Sequence, residues 1–270
     1  SNRSYLRLTN PDTGKSAVFM DAPPEKETVL PFIHIAQHLN NIGLSAPEII
    51  AKNISAGFLL IEDFGDDLFA KLMDATPQKQ IELYSAAAEL LVHLQATTPP
   101  DNLLKYCPVT MAKYAAPAFD QYQLAVLGRQ LSTKDTILAL LETALRDVSP
   151  QPTVLSLRDF HAENLLWLPN RLGVKRVGLL DFQDAVVAHP AYDLVSLLED
   201  ARRDVPNNIR QTIIRYYIEL SGINHDAFYA AYSAQGAQRT NVDRRQRPAV
   251  QRTRRNTHQH HPPGHPAATG

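Results

Sequence analysis

The sequence predicts an α+β protein of two unequal lobes: a small strand-rich front and a larger, mostly helical back, joined near residue 63. Three observations carry that prediction. Short apolar runs bounded by turn-forming residues fill the first 62 positions. Beyond them, apolar residues recur at helical spacing, at Leu83, Ala87, Leu90, Leu91 and Leu94 and again at Ile209, Ile213, Tyr217 and Leu220. Between those two stripes, Val154 to Asp181 breaks into short strand-like pieces. Strands gathered at one end and helices at the other make an α+β plan rather than an alternating one.

In order along the chain, Ser4–Leu8 and Ala17–Met20 read as strands joined by a turn at Asn10–Gly14. Pro23–Pro24 followed by Glu25 opens a helix with the stripe Phe32, Ile35, Ala36, Leu39 and Ile42, stopped at Gly43. Phe58–Ile61 is a buried strand, and the polar EDFGDD at Glu62–Asp67 ends it as a linker. In the back, Leu165–Leu168 and Val174–Leu180 are apolar arms about a turn at Pro169–Gly173. From Arg239 to Gly270 there is no Leu, Ile, Phe, Tyr, Trp, Met or Lys. Such a segment cannot bury enough apolar surface to offset its ordering entropy. The change is abrupt and interrupts an amphipathic helix as it begins. Residues 239–270 are therefore expected to be a disordered tail translated in a shifted frame; the competing readings are a native solvated tail and a basic arm for nucleic acid or membrane.

Composition excludes several classes. At 270 residues and 44% hydrophobic, the chain can build one or two domains with a real core. Its one cysteine, Cys107, excludes a disulfide framework and any multi-cysteine zinc site, so a reducing cytoplasm is the expected compartment. No apolar run approaches the roughly 20 residues a bilayer span needs, and the first residues do not read as a signal peptide. The chain opens on Ser1 inside what reads as a working segment, so its true start is expected upstream. The net charge of −1 joins unlike parts: seven Arg and one Asp lie from Arg239 onward, leaving 20 basic and 27 acidic residues before it. An acidic body argues against nucleic acid as a partner.

The chemistry concentrates in Ser156–Asp184, SLRDFHAENLLWLPNRLGVKRVGLLDFQD. Folded as an antiparallel hairpin, its two arms lie roughly 5 Å apart. Asn164 just precedes the first arm and Asp181 just follows the second, so the hairpin sets them side by side, and Asp159 enters five residues earlier. A carboxylate, an amide oxygen and room for water suit a hard cation such as Mg²⁺, which completes its shell with phosphate and water. A polar hairpin mouth with capped turns is the plainer reading, and it leaves the repeated acids unexplained. His161–Glu163 lacks the downstream Pro-Cys-x-x-Cys of a zinc deaminase, so His161 reads as a loop residue near an acceptor. Trp167 reads as core rather than as a stacking platform.

Asp159-x-x-x-x-Asn164 followed by Asp181-Phe182 resembles the protein-kinase catalytic set. DFQDAVVAHPAYDLVSLLED follows at once and leaves no room for a long activation segment. That compact order is similar to the aminoglycoside phosphotransferase and choline kinase superfamily. VFMDAPPE, GFLLIEDFG and LRDFHAENLLWL together look most like its bacterial sugar-kinase branch, which includes anomeric kinases for N-acetylmuramate and N-acetylglucosamine. The resemblance spans about Ser1 to Gln238. It implies a protein-kinase-like two-lobed fold, with an incomplete nucleotide-binding lobe at 1–63 and a catalytic and substrate lobe at 64–238. It also implies ATP and Mg²⁺ as cofactors and a small-molecule hydroxyl, that of an amino sugar, as acceptor. Aminoglycoside or choline are the alternatives.

Carried over residue by residue, the resemblance makes Asp159 the catalytic aspartate that orients the acceptor hydroxyl, and Asn164 and Asp181 the magnesium ligands. Arg158, Asp184 and Asp193 would support them. Asp193 would steady the catalytic loop, though by itself it reads equally as an N-cap. Glu62 to Phe64 matches the hinge whose backbone holds adenine, and Asn2, Arg3 and Ser4 match the end of the loop over the phosphates. One departure stands out. The usual front-lobe strand lysine should fall near SAVFMDA, where the chain has Met20 and Asp21. Arg7, Lys15 and Lys26 are candidates to replace its charge, although the resembled branch often shares this MDAP signature. The missing lysine motivates a second class of function, a catalytically impaired binding module.

Overall fold

The computed structural model describes residues 3–123, 128–129 and 132–243, with backbone alone at 121–123 and 240–243. Asn2 and the tail from 244 onward lie outside the described residues. The front lobe is an antiparallel sheet of β1 (Ser4–Thr9), β2 (Ser16–Asp21), β3 (Ile49–Asn53) and β4 (Phe58–Glu62) in the order β1-β2-β4-β3, with helix α1 (Leu30–Asn41) packed on it. The predicted strands and turn are present. Asn10 Oδ1 accepts the N–H groups of Asp12 and Thr13, at 2.9 and 3.1 Å, which fixes the β1–β2 hairpin. β3 is an edge strand the sequence did not show: a bulge between Ile49 and Ala51 breaks its alternation, and most of it is exposed. Gly57 (φ +75°) has no substitute, because a Cβ there would sit 1.9 Å from the carbonyl oxygen of Ala22.

Helix α1 differs from expectation at its start. Pro23–Pro24 forms a turn, with Lys26 and Glu27 N–H both donating to Pro23 O, and the helix begins only at Leu30. Pro31 supplies the reason: its ring would clash with a helical carbonyl four residues back, so it is tolerated only in the first turn. Of the stripe, Phe32, Ile35, Ala36 and Leu39 are buried, while Ile42 is the C-cap and only half-buried against the core.

The back lobe is built on α2 (Phe69–Ala75), α3 (Gln80–Gln95), α4 (Pro108–Pro117), α5 (Lys134–Val148), α6 (Ala191–Leu198), α7 (Asn207–Ser221) and α8 (His225–Asp243). Leu83, Ala87, Leu90, Leu91 and Leu94 of α3 are all fully buried. On α7, Ile213 and Tyr217 are buried while Leu220 is 43% exposed, so that stripe ends one turn early. Two small sheets carry the loops: β5 (Val154–Ser156) pairs with β8 (Val186–Ala188), and β6 (Leu165–Trp167) with β7 (Val177–Leu179). The β6–β7 arms are shorter than read from sequence because Gly173–Arg176 forms a 3₁₀ turn. Trp167 packs on Phe69 and under Arg176, as a core residue would. The boundary expected after Gln238 is not a break: α8 runs on through Arg239 to Asp243, and Arg239 is 3% exposed. Arg239 is ordered because its guanidinium finds oxygen partners in Arg158 and Asp159, in the loop after β5. No helix among the described residues is long and apolar enough to cross a membrane.

One core runs through both lobes, from Met20, Leu59 and Ile61 to Leu94, Phe182 and Tyr217. Polar bonds reinforce the junction. Ser45 Oγ donates to Lys175 O at 2.7 Å, Leu179 N–H donates to Ser45 O at 2.8 Å, and Arg171 pairs with Glu62 while donating to Ser45 Oγ.

His189, between β8 and α6, gives a stability test. Its Nδ1 accepts the Ala191 N–H at 3.1 Å, and burial pushes its pKa down to about 4. A histidine held neutral in the fold contributes stability that is present above pH 6.5 and lost as pH falls toward 4. His189→Asn keeps an acceptor for that N–H and removes the titration. The stability difference between wild type and His189→Asn should shift by about 2 kcal/mol between pH 7 and 4, each pKa unit being worth about 1.4 kcal/mol before discounting for partial exposure. Urea titrations of both proteins read it, and the difference isolates His189 from carboxylates titrating in the same window. A pH-independent difference contradicts this account.

Candidate active site

The mouth of the β6–β7 hairpin brings Asn164 and Asp181 together: Asn164 Nδ2 lies 3.4 Å from Asp181 Oδ2. The hairpin pairs Leu165 with Leu179, and Leu180 N–H donates to Asn164 O at 3.0 Å, so the two side chains leave adjacent strand ends. Asn164 Nδ2 also donates to Asp159 O at 2.9 Å, tying the amide to the loop that precedes the hairpin. With Nδ2 so engaged, the amide offers Oδ1 as its acceptor. The same Nδ2 lies 3.2 Å from His161 Nε2, so this histidine accepts there and carries its proton on Nδ1. Burial and the neighbouring Arg202 push the His161 pKa down, in keeping with a neutral ring.

Asp159 and its neighbours hang on one buried carboxylate. Asp193, in the first turn of α6, is fully buried; it accepts from Ser156 Oγ (2.7 Å), Leu157 N–H (2.7 Å) and Arg158 N–H (3.0 Å). Burial pushes its pKa up to about 6, while those donors and Arg239 pull the other way. The N-cap reading of Asp193 fails, because Pro190 holds that position of α6 and no side chain caps the helix; the Asp193 carboxylate instead holds the loop at Ser156–Arg158. Arg158 stands at φ +70° and Asp181 at φ +55°, two of three non-glycine residues with positive φ among the described residues. Such backbone costs of order 1–3 kcal/mol and persists only where surroundings over-determine it. Arg158 serves through its main chain, its N–H on Asp193 and its carbonyl accepting from Ser196 Oγ at 3.1 Å, while its guanidinium lies over Tyr114.

A cavity of about 360 Å³ opens between the lobes, lined by Arg3, Glu27, Thr28, Pro31, Asp181, Gln183 and Asp184. Arg3 Nε pairs with Glu27 at 2.7 Å, its side chain 7% exposed. The cation of this cleft therefore comes from Arg3, just before β1. Met20 is fully buried in the core, Arg7 is held by Asp63 and Asp66 at 2.7 and 2.8 Å, and Lys15 and Lys26 are exposed. The Arg3–Glu27 pair was not legible in the sequence, since neither residue lies on a periodic stripe. Ser4 starts β1 opposite Asp21 and lies outside this cavity's lining. In the hinge, Glu62 N–H already donates to Glu48 O, and Phe64 packs under Arg171 and against Gly178.

The donor set fits magnesium: the Asn164 amide, whose Nδ2 faces Asp181 and leaves Oδ1 as an acceptor, and the Asp181 carboxylate are hard ligands that leave most of a shell to phosphate and water. Removing Asp193 tests the loop's support. Asp193→Ala strands two buried donors and a half-buried one and should cost about 3–5 kcal/mol, read by chemical denaturation; a loss under about 1 kcal/mol contradicts its role as the loop's anchor.

Comparison with known proteins agrees with this geometry. Residues 1–232 match the profile of the phosphotransferase enzyme family, APH. The chain is 36% identical to the N-acetylmuramate/N-acetylglucosamine kinase of Caulobacter vibrioides, over 88% of this chain and 75% of that protein. Its fold is similar to choline kinase LicA from Streptococcus pneumoniae (TM-score 0.59, 16% identity, covering 93% and 91% of the two chains). It is similar as well to an aminoglycoside-3'-phosphotransferase of type VIII (TM-score 0.57, 14% identity, 88% and 94%). The fold is protein-kinase-like, and the chain belongs to the phosphotransferase enzyme family.

Proposed function

We propose that the chain transfers the γ-phosphoryl group of ATP to the anomeric hydroxyl of an amino sugar, N-acetylmuramate or N-acetylglucosamine. The observation that carries this reading is the meeting of Asn164 and Asp181 at one hairpin mouth, with the Asn164 amide bonded to the main-chain carbonyl of Asp159, in a chain 36% identical to a kinase named for those sugars. Aminoglycoside and choline acceptors rest on fold likeness at 14–16% identity, which carries no acceptor with it. Use of ATP favours the cytoplasm.

Asp159 holds the acceptor hydroxyl and takes its proton as the oxygen bonds to phosphorus; the bond to the bridging oxygen breaks, and its electron pair leaves with ADP. Asn164 and Asp181 would hold magnesium, which when bound neutralises phosphate charge. Arg3, anchored by Glu27, faces the phosphates from the front lobe, where the Met20 position offers no cation. Arg3 in this place supports turnover over an impaired binding module. Asp184, on the same cavity wall, is a further polar anchor.

Asp159→Ala should lower turnover by at least about 100-fold while sparing nucleotide binding, since its work is on the acceptor. Asp181→Ala should weaken both. Coupled-assay kinetics with N-acetylglucosamine, and calorimetry with MgADP, separate the two; equal turnover in wild type and Asp159→Ala refutes the assignment. Phosphorus NMR of the product locates the new phosphate, and a phosphate elsewhere than the anomeric carbon overturns the proposed acceptor position.

A further inference from the structure

We infer that Arg239, near the end of α8, is a positioning residue that clamps the catalytic loop and fixes the orientation of the Asp159 carboxylate. The inference rests on reading Asp159 as the catalytic aspartate. Arg239 Nη1 donates to Arg158 O at 3.0 Å and to the Tyr192 hydroxyl at 3.3 Å, and Nη2 donates to Asp159 Oδ1 at 3.3 Å. Its guanidinium carbon lies 5.8 Å from the Tyr192 ring centroid. The Arg239 side chain is 4% exposed and that of Asp159 20%. One planar group thus reaches a strained peptide carbonyl, a phenol from α6 and the acceptor-facing carboxylate.

A carboxylate at the end of a loop rotates freely about its last torsion, and its two oxygens compete for the acceptor hydroxyl. Arg239 engages Oδ1 and leaves Oδ2 to the acceptor. It also shares Arg158 O with Ser196 Oγ, so the left-handed backbone that aims Asp159 is held from α6 and α8 together. Lysine cannot replace it: a single ammonium has no rigid fork with which to span carbonyl and carboxylate at once. Helix α8 packs against α4, α5 and α6, which makes Arg239 the point where the outer helices touch the reacting groups. Composition hid this, because Arg239 is the first residue of the Arg-rich, apolar-poor stretch.

Arg239→Met, Arg239→Lys and Gln238→Leu in the whole chain test the clamp. The last removes a neighbouring buried bond, Gln238 Nε2 to Met111 O at 3.0 Å, without touching the loop. Arg239→Met should lower kcat about 100-fold, the scale of a misplacement of about 1 Å, with KM for MgATP unchanged. Arg239→Lys should recover about tenfold of that loss, since charge returns without the fork, and Gln238→Leu should keep the wild-type kcat. Amide exchange across 157–160 should quicken in Arg239→Met alone. A folded Arg239→Met within about threefold of the wild-type kcat overturns the inference, as does an equal loss in Gln238→Leu. If Arg239→Met does not fold, wild-type turnover in Arg239→Lys overturns it. If wild type transfers no phosphate, the kinase reading falls and exchange alone decides the clamp: unchanged protection at 157–160 in Arg239→Met overturns it.

Discussion

The carboxylate of Asp193, sealed from solvent, is the constraint on which the site depends. Three donors from consecutive residues, Ser156, Leu157 and Arg158, converge on it. That convergence forces the chain to turn sharply where β5 ends, and it leaves Arg158 in the left-handed region with Asp159 next in line. Hydrogen bonds to a charged acceptor are worth about 1.5–3 kcal/mol each, enough together to outweigh a strained residue. Burial works against the charge, which is why the pKa rises to about 6, and the carboxylate tolerates its place only because every donor is already aimed at it. The loop and its anchor thus stabilise each other, and neither geometry is stable alone.

From that loop the site spreads through short-range connections. Asn164 reaches back to Asp159 O, and the hairpin delivers Asp181 beside it. Phe182, next to Asp181, is fully buried with its ring 4.9 Å from Phe32 of α1, so the Asp181 carboxylate is braced from the front lobe. The front lobe is held in turn by Ser45 and Glu62 against Lys175, Leu179 and Arg171. A shift of α1 therefore bears on Asp181 through one aromatic contact, while the hinge side is fixed by polar bonds.

What sequence could reveal follows from how local each feature is. The hairpin was legible because its apolar arms, its turn and its flanking acids lie within thirty residues, and strand pairing then dictates which side chains meet. Helix α3 was legible because Leu83, Ala87, Leu90, Leu91 and Leu94 all face one core. Strand β3 was not, since a bulged, exposed edge strand has no alternation to show. The start of α1 was misread because Pro23–Pro24 looks like a helix opening, whereas the later Pro31 decides it. Arg239 was hidden for a different reason: composition averages over a window, and one ordered residue at the edge of a polar stretch is outvoted by its neighbours.

The cation lining the cleft is Arg3 rather than a residue of β2. A cleft lined by Asp181, Asp184 and Glu27 would repel a nucleotide's phosphates unless a positive group stood inside it. The β2 position that would carry a lysine instead holds Met20, wholly buried in the lobe's core. Met20 pairs with Tyr5 across the β1–β2 ladder, and Arg3 lies two residues before Tyr5, where β1 begins. A long side chain from there reaches the cleft and meets Glu27, which the Pro23 turn and the delayed start of α1 leave on the loop facing it. Pro31, which delays the helix to Leu30, thus leaves Glu27 outside it and within reach of Arg3.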